Sequence, residues 1–197
     1  VVVAMSACYD DRGEISTAAV RKLTRFLADS GVSGVYVGGS TGEGFLQSVE
    51  ERKRVLEAVK EEAPEGLLVI AQVGAISTRD SEELARHAEA AGADAISAVP
   101  PFYFKVSEQG AERHWRAIME AADLPFFGYH IPSTTGFYLT PGLLQRMLQY
   151  PRYAGLKITT PSSYELQQFK AMGGERFIVF NGPDEQYLAG RVMGADG

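Results

Sequence analysis

The chain has 197 residues, 45% of them hydrophobic and 22% charged, which is the balance of one globular domain (1–197) with a single large core and excludes a disordered or fibrous chain. Its net charge is -6, and the 19 basic residues are interspersed with 25 acidic ones without forming a stripe, so nucleic acid is not an expected partner. Apolar runs such as Val1 to Met5 are too short to cross a bilayer, and one cysteine, Cys8, with three scattered histidines offers neither a disulfide nor a zinc set. A cytoplasmic protein without membrane or metal is expected.

Short β-rich runs recur at Val1 to Ala4, Gly34 to Gly38, Leu67 to Gln72, Ala95 to Val99, Pro125 to Tyr129, Ala154 to Ile158 and Phe177 to Phe180. Helix-period segments separate them. Thr17 to Ser30 sets Val20, Leu23 and Leu27 on one side and stops at Gly31. Ser48 with Glu51 three residues on is a capping box, opening a helix whose apolar face is Val55, Leu56 and Val59 and which stops before Pro64. Further helices are expected over Ser81 to Ala91, Ser107 to Ala122, Pro141 to about Tyr150, Ser162 to Met172 and Asp184 to Met193.

Three helix-to-strand joints are alike: Gly31-Val32-Ser33, Gly92-Ala93-Asp94 and Gly194-Ala195-Asp196. The repeating unit is therefore a strand followed by a helix, and alternation of this kind demands parallel strands covered by helices. We read the α/β chain as a (β/α)8 TIM barrel truncated before its eighth strand, which is expected to follow the third joint. An open flavodoxin-like sheet is the alternative.

In a barrel the chemistry sits at the carboxyl ends of the strands. There, Gly38 to Gly44 reads GGSTGEG: its glycines and the hydroxyls of Ser40 and Thr41 suit a small anion such as a carboxylate, and it lacks the lysine of a P-loop. A plain strand-to-helix loop would look the same. Pro100 to Phe104 is a rigid aromatic loop, placed to cover the site, to meet a neighbouring subunit, or to pack at the surface. Tyr129 closes the fifth run, either with its phenol at the mouth for proton relay or as a core tyrosine, and His130 falls on the opposite face.

Lys157 is the most informative position. Strand alternation puts Ala154, Leu156 and Ile158 on one face and Gly155, Lys157 and Thr159 on the other, which aims the lysine into the barrel. Desolvation there disfavours the ammonium relative to the amine, and a neutral amine attacks carbonyls. A buried salt bridge or a lysine snorkelling to the rim is the competing reading. The other five lysines fall on helices or loops and are expected to be solvated. After the seventh run, Asp184 and Glu185 either offer carboxylates to substrate hydroxyls or cap a helix.

GGSTGE at Gly38 to Glu43, YHIP at Tyr129 to Pro132, GLK at Gly155 to Lys157 and NGPDE at Asn181 to Glu185 resemble, in this order, the motifs of the dihydrodipicolinate synthase and N-acetylneuraminate lyase superfamily. The resemblance covers essentially the whole chain. It implies a pyruvate-dependent class I aldolase in which Lys157 forms the Schiff base, Tyr129 moves the proton, and Ser40 and Thr41 hold the pyruvate carboxylate beside backbone donors around Gly39. It further implies that Tyr103 completes a proton relay across a subunit interface, in a homo-oligomer, commonly a tetramer. No cofactor beyond the covalent lysine-pyruvate imine is implied.

Thr134 stands where the synthase branch has an arginine for the aldehyde's carboxylate, a charge-assisted contact of about 1.5–3 kcal/mol. Thr159, Gly182, Asp184 and Glu185 are instead similar to the sugar contacts of the lyase branch. Pro183 and Ile158 depart from that branch, which commonly has an aromatic and a polar residue there. The resemblance therefore implies cleavage of a 2-keto-3-deoxy sugar acid such as N-acetylneuraminate. Dihydrodipicolinate synthase, 2-keto-3-deoxygluconate aldolase and a non-catalytic sugar-acid-binding relative are the alternatives.

Overall fold

A computed structural model describes residues 1–197. Seven strands, β1 (Val2–Ala4), β2 (Gly34–Val37), β3 (Leu68–Gln72), β4 (Ala95–Ala98), β5 (Phe126–His130), β6 (Tyr153–Ile158) and β7 (Ile178–Asn181), form one sheet in sequence order. Every neighbouring pair is parallel. This order excludes the flavodoxin-like alternative, in which the strand order reverses at a switch point. With no reversal, right-handed crossovers put all helices on one face, and the sheet curls about the other as a barrel does.

The helices are α1 (Thr17–Asp29), α2 (Val49–Glu62), α3 (Thr78–Ala90), α4 (Glu108–Ala121), α5 (Pro132–Thr135), α6 (Pro141–Met147), α7 (Ser163–Gly173) and α8 (Tyr187–Val192). The capping box of α2 is formed: Ser48 Oγ accepts from Glu51 N, and Glu51 Oε2 accepts from Ser48 N at 2.7 Å. Helix α3 begins three residues earlier than the sequence suggests, because Ser77 caps it by accepting from Asp80 N. The run expected to be one helix from Asp184 is a 3-10 turn, Asp184–Gln186, followed by α8, and Asp184 makes no cap bond. Helix α5, a single turn after Pro132, is absent from the sequence reading; its four residues are too few for a periodic pattern.

Two of the three glycine joints use one device. Asp94 N donates to Val69 O at 2.9 Å while Asp94 Oδ2 accepts from Val69 N at 2.8 Å. Asp196 repeats both bonds on Val179, each at 2.8 Å, and Asn181 N then donates to Gly197 O. The chain after Gly194 thus runs alongside β7 as Asp94 leads β4 alongside β3. The glycines turn with φ of +78° at Gly92 and +99° at Gly194, a region costly to other residues.

Two apolar layers result. The outer one, between sheet and helices, includes Val35, Val69, Ile96, Phe126, Leu156, Ile158 and Val179; there Trp115 of α4 donates from its indole nitrogen to Ala98 O at 3.1 Å. The inner layer is small and aromatic: Tyr36, Ile70, Ala95, Val99, Phe127, Tyr129 and Ile131. Ala154 packs on this inner layer, which corrects its expected grouping with Leu156 and Ile158. A register shift between Phe126 and Phe127 is the cause, since Phe126 pairs with Tyr153 but Phe127 with Gly155. Past the bulge, alternation holds and Lys157 pairs with Tyr129 on the inner face.

Candidate active site

A cavity of about 560 Å³ runs along the inner face from the carboxyl ends of the strands down the edge of β1, where Val1, Val2 and Gly197 also line it. Lys157, Tyr129, Ser40, Thr41, Thr159, Gly182 and Asp184 all line it, so seven of the ten residues singled out in the sequence converge on one site. Lys157 is half-buried, with its Nζ 4.2 Å from the Tyr129 ring centroid and 4.4 Å from that of Tyr36. It has no ion-pair partner, which disposes of the buried salt bridge. Three other lysines differ in this respect and correct the expectation of free solvation: Lys53 pairs with Glu50 and Glu83, Lys60 with Asp94, and Lys170 with Asp196.

The loop after β2 is shaped by its glycines. A Cβ on Gly44 would fall 2.0 Å from Gly38 O, and one on Gly39 would fall 2.7 Å from Cε1 of Tyr36, so the chain folds back on itself and presses on that ring. Gly39 lies buried behind the cavity wall; its carbonyl accepts from Gly44 N at 3.2 Å. Ser40 and Thr41 are exposed on the cavity side, and neither their amides nor their hydroxyls are used within the chain. Free donors of this kind suit a carboxylate.

Opposite stand the ends of β6 and β7. Thr159 Oγ1 is buried without a hydrogen-bond partner, and Gly182 N donates to Ile158 O at 2.7 Å, bringing the turn against Thr159. Asn181 Nδ2 donates to Pro183 O at 2.7 Å and holds the turn that presents Asp184. Glu185 is exposed outside the cavity lining. Tyr103, at φ +78°, is 84% exposed beside the equally bare Phe104, and does not reach the cavity of its own chain. Phe102 of the same loop packs edge-on against Phe45, with centroids 4.9 Å apart.

Tyr36 is the residue that sequence reasoning missed. It is 4% exposed, its hydroxyl donates to Ser97 Oγ at 2.9 Å, and burial, followed by the neighbouring Tyr129, holds its phenol well above the usual range. The signal was a lone phenol at the inward position of an aliphatic strand, Gly-Val-Tyr-Val. His130 packs on the outer face against Phe169, its Nε2 3.4 Å from Glu165 Oε1; burial lowers its pKa, partly offset by Glu165. Thr134, in a neighbouring cavity of about 260 Å³ that shares Ser40, spends its hydroxyl on Ile131 O at 3.2 Å and supplies no cation.

Comparison with known proteins places the chain in a family. The chain is 47% identical over 198 residues to N-acetylneuraminate lyase of Mediterraneibacter gnavus, covering 100% of this chain and 63% of that one. It is 39% identical to N-acetylneuraminate lyase of Escherichia coli, covering 66% of it. Wild-type sialic acid aldolase of Ruminococcus gnavus superposes with a TM-score of 0.97 at 47% identity over 100% of this chain and 65% of that structure. Dihydrodipicolinate synthase of Aquifex aeolicus superposes with a TM-score of 0.95 at 28% identity, over 100% of this chain and 67% of that one. The chain thus spans 63% of the Mediterraneibacter lyase and 65% of the Ruminococcus aldolase. Residues 1–197 match the Dihydrodipicolinate synthetase family throughout, and the chain belongs to that family.

Proposed function

We propose that this protein is a class I aldolase that cleaves a 2-keto-3-deoxy sugar acid, N-acetylneuraminate or a close analogue, into pyruvate and an aldehyde sugar. The observation that carries the reading is an amine, Lys157, without an ion-pair partner on the wall of a cavity it shares with Tyr129, Ser40 and Thr41. The relatives at 47% and 39% identity are N-acetylneuraminate lyases, which supports the sugar-acid substrate. Thr134, without positive charge, supports it over an aldehyde bearing a carboxylate.

In this mechanism Ser40 and Thr41 bind the substrate carboxylate with their unused donors. The Lys157 amine adds to the keto carbon, water leaves, and a protonated imine results. Tyr129, having given its phenol proton to the departing water, takes back the proton of the hydroxyl on the carbon beyond the methylene. The carbon-carbon bond between those two atoms breaks, its electron pair moves to the iminium nitrogen to give an enamine, and the aldehyde departs. The methylene carbon then takes up a proton, and water hydrolyses the imine to release pyruvate and the amine. No metal or organic cofactor enters, because the imine is the electron sink. Thr159, Gly182 and Asp184, which line the cavity, would meet the hydroxylated chain of the sugar, whereas Glu185 lies outside it.

Tyr103 belongs to this proposal as a residue that completes the proton path of a neighbouring copy in a homotetramer. Its exposure at 84%, with Leu46 at 82% and Phe104 at 74%, suits a surface covered by another copy. The lone free thiol, Cys8, suits the reducing cytoplasm. Incubation with pyruvate, reduction with borohydride and peptide mapping test the reading: an adduct on Lys157 is expected, and a folded sample without one would refute it. Turnover on N-acetylneuraminate, 2-keto-3-deoxygluconate and aspartate semialdehyde then ranks the substrates.

A further inference from the structure

Lys157 Nζ lies between two aromatic faces, and under the proposed function only Tyr129 takes part in the chemistry. Tyr36, whose centroid is 4.4 Å from the nitrogen, is held from three sides. Its hydroxyl donates to Ser97 Oγ at 2.9 Å. Its ring edge abuts Gly39, where a Cβ would come within 2.7 Å. Its ring stands at 81° to that of Tyr129, with centroids 5.9 Å apart. A phenol so buried, with its proton committed to Ser97, is poorly placed to exchange protons with a substrate. Its π face, however, looks at a nitrogen that has no carboxylate partner. An aromatic face attracts a cation most strongly where water is scarce.

We propose that the face of Tyr36 stabilises the positive charge on the Lys157 nitrogen more strongly as the iminium formed with the 2-keto acid, which offers fewer N–H groups to water, than as the ammonium, and that Ser97 and Gly39 are positioning residues that keep this face in place. The inference rests on the aldolase reading and adds to it a residue that governs how much imine accumulates. The two phenols thereby have different roles, since Tyr129 moves protons whereas Tyr36 holds charge. The hydroxyl of Tyr36 matters only for orientation.

The test replaces Tyr36 in the protein by Phe, by Leu, and by phenylalanines carrying one to three ring fluorines, which keep the shape while weakening the π face. The fraction of Lys157 converted to pyruvyl adduct is read by borohydride reduction and intact mass across a pyruvate titration, with the thermal midpoint recorded in parallel. Tyr and Phe should agree within about twofold, Leu should need about tenfold more pyruvate, and fluorination should raise the requirement stepwise. A Leu variant equal to wild type, a flat fluorine series, or a Phe variant as weak as Leu would overturn the inference. The fluorinated series decides the matter if the Leu variant does not fold. Wild-type protein that forms no adduct would refute the aldolase reading and the inference together, whereas a wild-type adduct with a flat series would refute the inference alone.

Discussion

Gly182 passes so close to Thr159 that a Cβ built on it would lie 2.0 Å from Thr159 Oγ1 and 2.8 Å from the carbonyl oxygen of Ile158. The turn after β7 is thereby pressed onto the end of β6, and the buried Thr159 hydroxyl has no partner in the chain; under the proposed function it is the group that meets the sugar. Gly182→Ala must push the turn away and displace that hydroxyl. The expected result is a KM for N-acetylneuraminate raised about tenfold, the worth of one well-made hydrogen bond, with pyruvate trapping at Lys157 intact. Steady-state kinetics beside the borohydride assay check it; an unchanged KM would show that the glycine serves only to pack the turn.

Lys157 offers a prediction on stability. A half-buried lysine without a counter-ion gains no ion-pair stabilisation, and an apolar side chain of similar length fits the same aromatic slot. Lys157→Met should abolish the pyruvate adduct and leave the thermal midpoint unchanged or higher. A midpoint lower by several degrees would mean that the lysine also supports the fold.

How much of this was legible in the chain follows from which interactions are local. The capping box of α2 and the glycine joints depend on residues a few positions apart, and the structure has them where the sequence implied. The inward aim of Lys157 follows from alternation alone, which holds because the β6 bulge lies upstream at Ala154 and not between Leu156 and Thr159. Ala154 departs from simple alternation for the same reason: a register shift is set by the neighbouring strand, and Tyr153 and Phe126 give no local sign of it. Tyr36 escaped because its meaning lies in partners 61 and 121 residues away, Ser97 and Lys157. The third joint is readable as a turn, but only the paired bonds of Asp196 to Val179 reveal it as the start of strand pairing.

Under the proposed function, a change at Tyr129 should separate imine formation from bond cleavage. Tyr129 is 2% exposed, lines the cavity, and its hydroxyl makes no hydrogen bond within the chain, so it is free to meet a substrate hydroxyl. Tyr129→Phe keeps the ring face beside Nζ and removes the proton carrier. The pyruvate adduct should therefore persist while turnover of the sugar acid falls by about 10²–10⁴. Equal turnover in the two proteins would remove the proton role.

His114 makes the fold sensitive to acid at a place remote from the cavity. It lies on the buried face of α4, its Nδ1 2.8 Å from Thr78 Oγ1 and its Nε2 without a partner. Burial alone lowers its pKa from 6.5 to about 4. The folded state thus binds fewer protons than the unfolded chain between those values. The stability that His114 contributes as a neutral ring is fully present above pH 6.5 and is lost as pH falls toward 4, a difference of about 3 kcal/mol. His130, lowered by burial and partly offset by Glu165, adds to the same trend. Urea unfolding between pH 4 and 7 should show stability rising with pH in the wild type, and a shallower rise in His114→Gln, whose amide can still meet Thr78 but does not titrate. An identical slope in both proteins would place the acid sensitivity elsewhere.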